Sequence, residues 1–120
     1  MSESAFKALT QLTDEEQAFR EAVRQFAEAE VQPKRNEMDQ SAEMNADLVK
    51  QFFEMGLMGI ETPEKYEGAD RSFTMACWAV EELGRVDGSV SVLVDVQNTL
   101  VTNALLKWSN EEQKQKYLPM

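Results

Sequence analysis

Residues 81–100 read EELGRVDGSVSVLVDVQNTL, and the reading of this stretch decides the fold. Gly84 and Gly88 bracket a break at residues 85–87, and Asp87 is the residue type that caps a helix by accepting from its free N–H groups. From Gly88 the apolar positions continue in helical register to Trp108. Val90, Leu93, Gln97, Leu100, Val101, Ala104, Leu105 and Trp108 share one side. The β-branched run at residues 90–96 admits a strand on composition, but the register carries on past it and favours a helix over residues 88–108. Val92, Val94 and Val96 fall off that stripe. A helix apolar on more than one side is one packed among other elements.

Upstream, Thr13-Asp14-Glu15-Glu16 fits a capping box, and Phe19, Val23, Phe26 and Ala27 follow on one helical face. Gln32-Pro33 marks an end or a kink, because proline disfavours helix in the residue before it. Residues 34–43 are polar and read as a connector. Asn45 is placed to cap a second helix over residues 46–55, with Leu48, Phe52 and Met55 as its stripe and Gly56 as a left-handed C-terminal cap. A short apolar segment at residues 57–60 leads into a loop with Pro63, Gly68 and Asp70. Ser72 is placed to cap a third helix with Phe73, Ala76, Cys77, Val80 and Leu83 at helical spacing. Ser109-Asn110-Glu111-Glu112 reads as a second capping box that opens a last helix to about Tyr117, before Pro119. No period-2 strand and no internal repeat stands out. The expected fold is all-α, a bundle of about five helices forming one domain over residues 1–120.

Composition narrows the function. The 120 residues are 42% hydrophobic and 28% charged, which fits an ordered globular chain. A net charge of −10 repels phosphate backbones and argues against nucleic acid as a partner. With one cysteine, Cys77, and no histidine, neither an internal disulfide nor a histidine-based triad can form, and a structural zinc site is nearly excluded. The first residues, MSESAFKALTQLTDEE, lack a basic start, a sustained apolar stretch and a cleavage signal. They read as a bacterial-type cytoplasmic protein or a processed organellar one. The most apolar region, residues 90–106, is broken by Asp95, Gln97, Asn98 and Asn103 and falls short of a membrane span.

Motifs that carry chemistry are scarce. The glycines spell neither a dinucleotide nor a P-loop fingerprint. The acidic pairs Glu15-Glu16, Glu81-Glu82 and Glu111-Glu112 look like helix caps or solvated faces rather than acid/base pairs. Cys77, on an apolar face, reads as a core residue. The informative polar group is Gln97-Asn98-Thr99, in the middle of the most apolar helix. Such side chains either reach solvent or neighbouring loops, or they border a cavity in which an amide orients a ligand.

Several segments together resemble one family. LTDEEQAFREAVRQFAEAEVQP, MGLMGIETPEKYEGA, EELGRVDGSVSVLVDVQNTL and WSNEEQKQKYLP, in this order, resemble the N-terminal helical domain of flavin-dependent acyl-CoA dehydrogenases. MGLMGIE and the VQNTL stretch look most like the short/branched-chain members. The resemblance implies an FAD-dependent oxidoreductase that removes two hydrogens across Cα–Cβ of an acyl-CoA thioester. It also implies reoxidation by an electron-transfer flavoprotein, and a homotetramer when complete. It implies that the catalytic glutamate and most FAD contacts lie beyond this first domain, so that no residue here is assigned as catalytic or metal-binding and the chain alone is inactive. Its contribution would be one wall of the acyl pocket, made by Gln97, Asn98, Val101 and Leu105, with Val101 influencing chain length. Two places depart from the family pattern: Tyr66-Glu67-Gly68-Ala69 puts Glu67 where the first glycine of Tyr-Gly-Gly is usual, and Trp108-Ser109 replaces His/Tyr-Gly. Two other readings remain open. One is a non-catalytic helical interaction module, which would behave as a stable monomer with no flavin. The other is a related flavin-dependent oxidase or monooxygenase on the same scaffold.

Overall fold

The computed structural model describes residue 8 and residues 10–119. The reading of residues 1–16 as carrying no leader falls half outside the described residues. Among the described residues every regular element is helical. The helices are α1 (Asp14–Phe26), α2 (Arg35–Ser41), α3 (Ala46–Glu54), α4 (Phe73–Gly84), α5 (Gly88–Val96), α6 (Asn103–Trp108) and α7 (Glu111–Tyr117). A wide π-helical turn (Gln97–Thr102) joins α5 to α6 without a break. A second π turn (Ala27–Val31) and a 3-10 turn (Gln32–Lys34) join α1 to α2. The chain thus forms five rods, as expected.

Local chemistry sets most of the boundaries. Thr13 and Glu16 form the capping box of α1, with Thr13 N–H donating to Glu16 Oε2 at 2.8 Å and Glu16 N–H donating to Thr13 Oγ1 at 3.1 Å. Asn45 caps α3, Ser72 caps α4 and Asp87 caps α5, each through its side-chain oxygen. Gly56 ends α3 at φ +72°, a conformation that a Cβ disfavours.

Four expectations are corrected. The connector at residues 34–43 is helical over α2, because Pro33 sits at the start of a 3-10 turn, where its missing N–H breaks no bond. The last helix is capped one residue later than expected, by Asn110 with Gln113. Ser109 hydroxyl instead donates back to the Leu105 carbonyl. Cys77 is exposed rather than buried. Finally, the buried positions of the long helix are Val90, Ser91, Val94, Asn98 and Thr102, all but Ser91 at intervals of four. The departure begins inside α5, where Val94 is fully buried and Leu93 only partly so, and the wider π turn that follows carries more residues per turn than the 3.6-residue stripe assumes. Leu100, Val101 and Trp108, placed on that stripe, are exposed.

The core joins Val23, Ala27 and Val31 to Leu48 and Phe52 of α3, to Leu57, Met58 and Ile60 of the following loop, and to α4 and α5. Phe26 meets Phe52 edge-on with ring centroids 5.8 Å apart. Helices α4 and α5 form an antiparallel hairpin, closed where Ser91 Oγ donates to Val80 O at 2.8 Å beside Gly84. The molecule is a slab of 56 × 38 × 19 Å. Its short dimension is about two helix diameters, so each layer has one face that the other cannot cover.

Candidate functional site: the long helix and its outer face

Asn98 is the polar residue on which the long helix turns. It is 3% exposed. Its Oδ1 accepts from Ile60 N–H at 2.8 Å, and its Nδ2 donates to Leu57 O at 2.7 Å and Val94 O at 2.8 Å. The amide thereby satisfies buried backbone groups of the loop that follows α3. Next to it, Thr99 Oγ1 donates to Asp95 O at 2.8 Å. The polar cluster in the most apolar helix is therefore largely an internal fastening to a loop.

The sequence-assigned wall residues divide between the two sides. Asn98 faces inward. Gln97 and Leu105 are half-buried and Val101 is exposed, on the other side of the same helix. There the structure adds apolar neighbours that the sequence stripe did not single out as a ligand surface. Val92, Val96 and Leu100 stand one turn apart, with Leu100 63% exposed. Alongside, Phe73 and Cys77 of α4 and Asp95 and Thr99 of the long helix line a shallow, mainly apolar groove of about 270 Å³, floored by Ile60. The period that made the helix legible hid this face, because exposure rather than hydrophobicity distinguishes it.

Acid/base chemistry is not assembled here. Glu82, read as a cap or a solvated residue, is buried instead. Its Oε1 accepts from Arg20 Nε at 2.7 Å and Arg24 Nη2 at 2.9 Å, and its Oε2 accepts from Arg24 Nε and Arg85 Nη1, both at 2.9 Å. The bond from Arg24, with those from Arg20 and Arg85, holds its pKa at about 2 against the cost of burial. A carboxylate held ionised in this way is a fastener of α1 to α4, not a base. The signal for it was Arg20 and Arg24 one turn apart with Arg85 three residues after Glu82. Among the described residues no group of acidic or cysteine side chains is spaced to hold a metal, and no helix is long and apolar enough to cross a membrane.

The loop at residues 61–71 is fixed at both ends. Tyr66 hydroxyl lies 2.9 Å from both oxygens of Glu111 at the start of α7. Hydrogen bonds from Gln115 and from Tyr66 hold the Glu111 carboxyl below its ordinary pKa. Glu67, the departure noted in the sequence, adopts φ 64° and ψ 18°, so a side chain occupies a left-handed position. Gly68 is required for a different reason: a Cβ there would stand 2.0 Å from Thr62 O.

A model of the family described as "Acyl-CoA dehydrogenase, N-terminal domain" matches residues 13–120. The chain is 42% identical over 119 residues to a probable short/branched chain specific acyl-CoA dehydrogenase of Dictyostelium discoideum, covering 99% of this chain and 29% of that protein. It is 41% identical over 111 residues to the mitochondrial short/branched chain specific acyl-CoA dehydrogenase of Bos taurus, covering 92% and 26%. A glutaryl-CoA dehydrogenase from Mycobacterium smegmatis, solved in complex with FADH2, superposes with a TM-score of 0.85 at 28% identity, covering 90% of this chain and 28% of that one. The chain thus spans under a third of the relatives it matches. By family match and by fold, it belongs to the acyl-CoA dehydrogenases and corresponds to their N-terminal domain.

Proposed function

We propose that this domain serves an FAD-dependent dehydrogenase acting on short or branched acyl-CoA thioesters, and that the outer face of the long helix is one wall of its acyl pocket. The supporting observation is the exposed row Val96, Leu100 and Val101 beside Gln97, on a helix whose inner side is locked to the core by Asn98. An acyl chain needs an apolar wall that excludes water, and a β-branched residue at Val101 narrows the space toward short or branched chains. Gln97, half-buried beside this row, supplies an amide able to orient a polar atom. Bound FAD would accept hydride from the β-carbon. The described residues carry no glycine-rich phosphate-binding fingerprint, and most of its contacts would lie in other parts of the enzyme. A glutamate outside this domain would take the α-proton, an electron-transfer flavoprotein would be the electron acceptor, and the assembly would be a homotetramer.

The test is Val101→Gly in the enzyme that carries this domain, assayed across straight and branched acyl-CoA thioesters. Removing the side chain should raise kcat/KM for longer chains about tenfold relative to short ones, because each extra methylene in an apolar pocket is worth about 1–3 kcal/mol. An unchanged preference would reject the wall assignment.

A further inference from the structure

The arginine cage around Glu82 opens onto a polar cleft of about 130 Å³ at the junction of α1 and α2. Arg24, Arg35 and Arg85 line it, with Gln32, and the lining carboxylates are Glu28 and Glu82. Glu82 is fully engaged, each of its oxygens accepting two guanidinium bonds. The guanidinium groups are not. Arg24 donates through Nε and Nη2 to Glu82, which leaves Nη1 free, and Arg85 donates through Nη1 alone. Arg35 donates to Val86 O at 3.5 Å and, among the described residues, is the one arginine with no carboxylate within ion-pair distance. On a surface of net charge −10, the cleft lining sets three guanidinium groups against two carboxylates, Glu28 and Glu82, and Glu28 also acts on Arg24. Neutralising Glu82 accounts for Arg20, Arg24 and Arg85, but it does not account for Arg35.

We propose that this cleft is an oxyanion site that takes a phosphate group, with Arg35 and Arg85 as its principal donors and Arg24 shared with Glu82. Planar guanidinium forks match the oxygens of phosphate in pairs, and the cleft is large enough for one such group. The proposal is independent of the acyl-pocket reading, because the cleft borders α1 and α2 rather than the outer face of the long helix.

The experiment is a phosphate titration of the chain at constant ionic strength, balanced with sodium chloride and followed through the arginine Nε–H resonances. Saturable shifts at Arg35 and Arg85 are expected. Arg35→Gln should weaken binding about tenfold, the worth of a charge-assisted bond. Arg71→Gln, which removes the same charge elsewhere, should leave the affinity unchanged. A parallel titration with adenosine monophosphate separates sources: tighter binding than phosphate assigns the site to a nucleotide phosphate, and equal binding to free phosphate. A response that never saturates, equal weakening in both variants, or the same shifts with chloride alone would overturn the proposal.

Discussion

The two sides of the long helix are built on opposite rules. Its inner side mixes Val90 and Val94 with Ser91, Asn98 and Thr102, polar residues kept in the core. Its outer side is apolar where it meets water, at Val92, Val96, Leu100 and Val101. A reading that sorts residues by polarity would assign the sides the other way round. Hydrogen bonding resolves the inversion at Ser91 and Asn98, whose side chains answer buried backbone groups, while the Thr102 hydroxyl is buried without a partner. On the outside, an apolar row has no use within a slab two helices thick. It is the surface expected of a domain that works against further protein or a ligand.

The comparison breaks most sharply at Asn98. Asn98→Ala leaves Ile60 N–H and Leu57 O buried without partners and should lower unfolding free energy by about 3 kcal/mol, measured by urea denaturation. Acid attacks the same core from the neighbouring helix. The Glu82 pKa of about 2 lies below its ordinary 4.5, so its stabilisation is complete above that ordinary value and disappears as pH falls from 4.5 toward 2. The loss should approach about 3 kcal/mol in a pH series, and Glu82→Gln should flatten the dependence. Glu67→Gly relieves a left-handed side chain and should add about 1 kcal/mol. Leu100→Ser should change stability by less than about 0.5 kcal/mol while reducing binding of a hydrophobic dye. If it destabilises as much as Asn98→Ala, the outer row belongs to the core and the contrast between the two sides is wrong.

The sequence carried the features that neighbours in the chain determine. Thr13, Asn45, Gly56, Ser72 and Asp87 act within three or four residues, and each does what its type and position imply. The break at residues 85–87 was legible for the same reason. What the sequence concealed depends on residues far apart. Glu82 resembles its exposed neighbour Glu81 until Arg20 and Arg24, some sixty positions away, are folded over it. The π turn at Gln97–Thr102 has no compositional mark, so the inner stripe was projected past it at the wrong period. Asn98 could be recognised as important, but only its partners distinguish an internal fastening from a ligand contact. Cys77 sits at a core-like spacing on α4, yet it faces a groove that no other element of the slab fills.

The Asn98 tie has a genetic consequence. Its partners on the loop are main-chain atoms, which every residue supplies alike. No exchange of side chain at Leu57 can restore the tie once the amide is gone, and at Ile60 only proline, which removes the N–H, could destroy it from the loop side. A suppressor screen begun from Asn98→Ala should therefore return no allele-specific partner at these two positions, only general stabilisers scattered elsewhere in the domain.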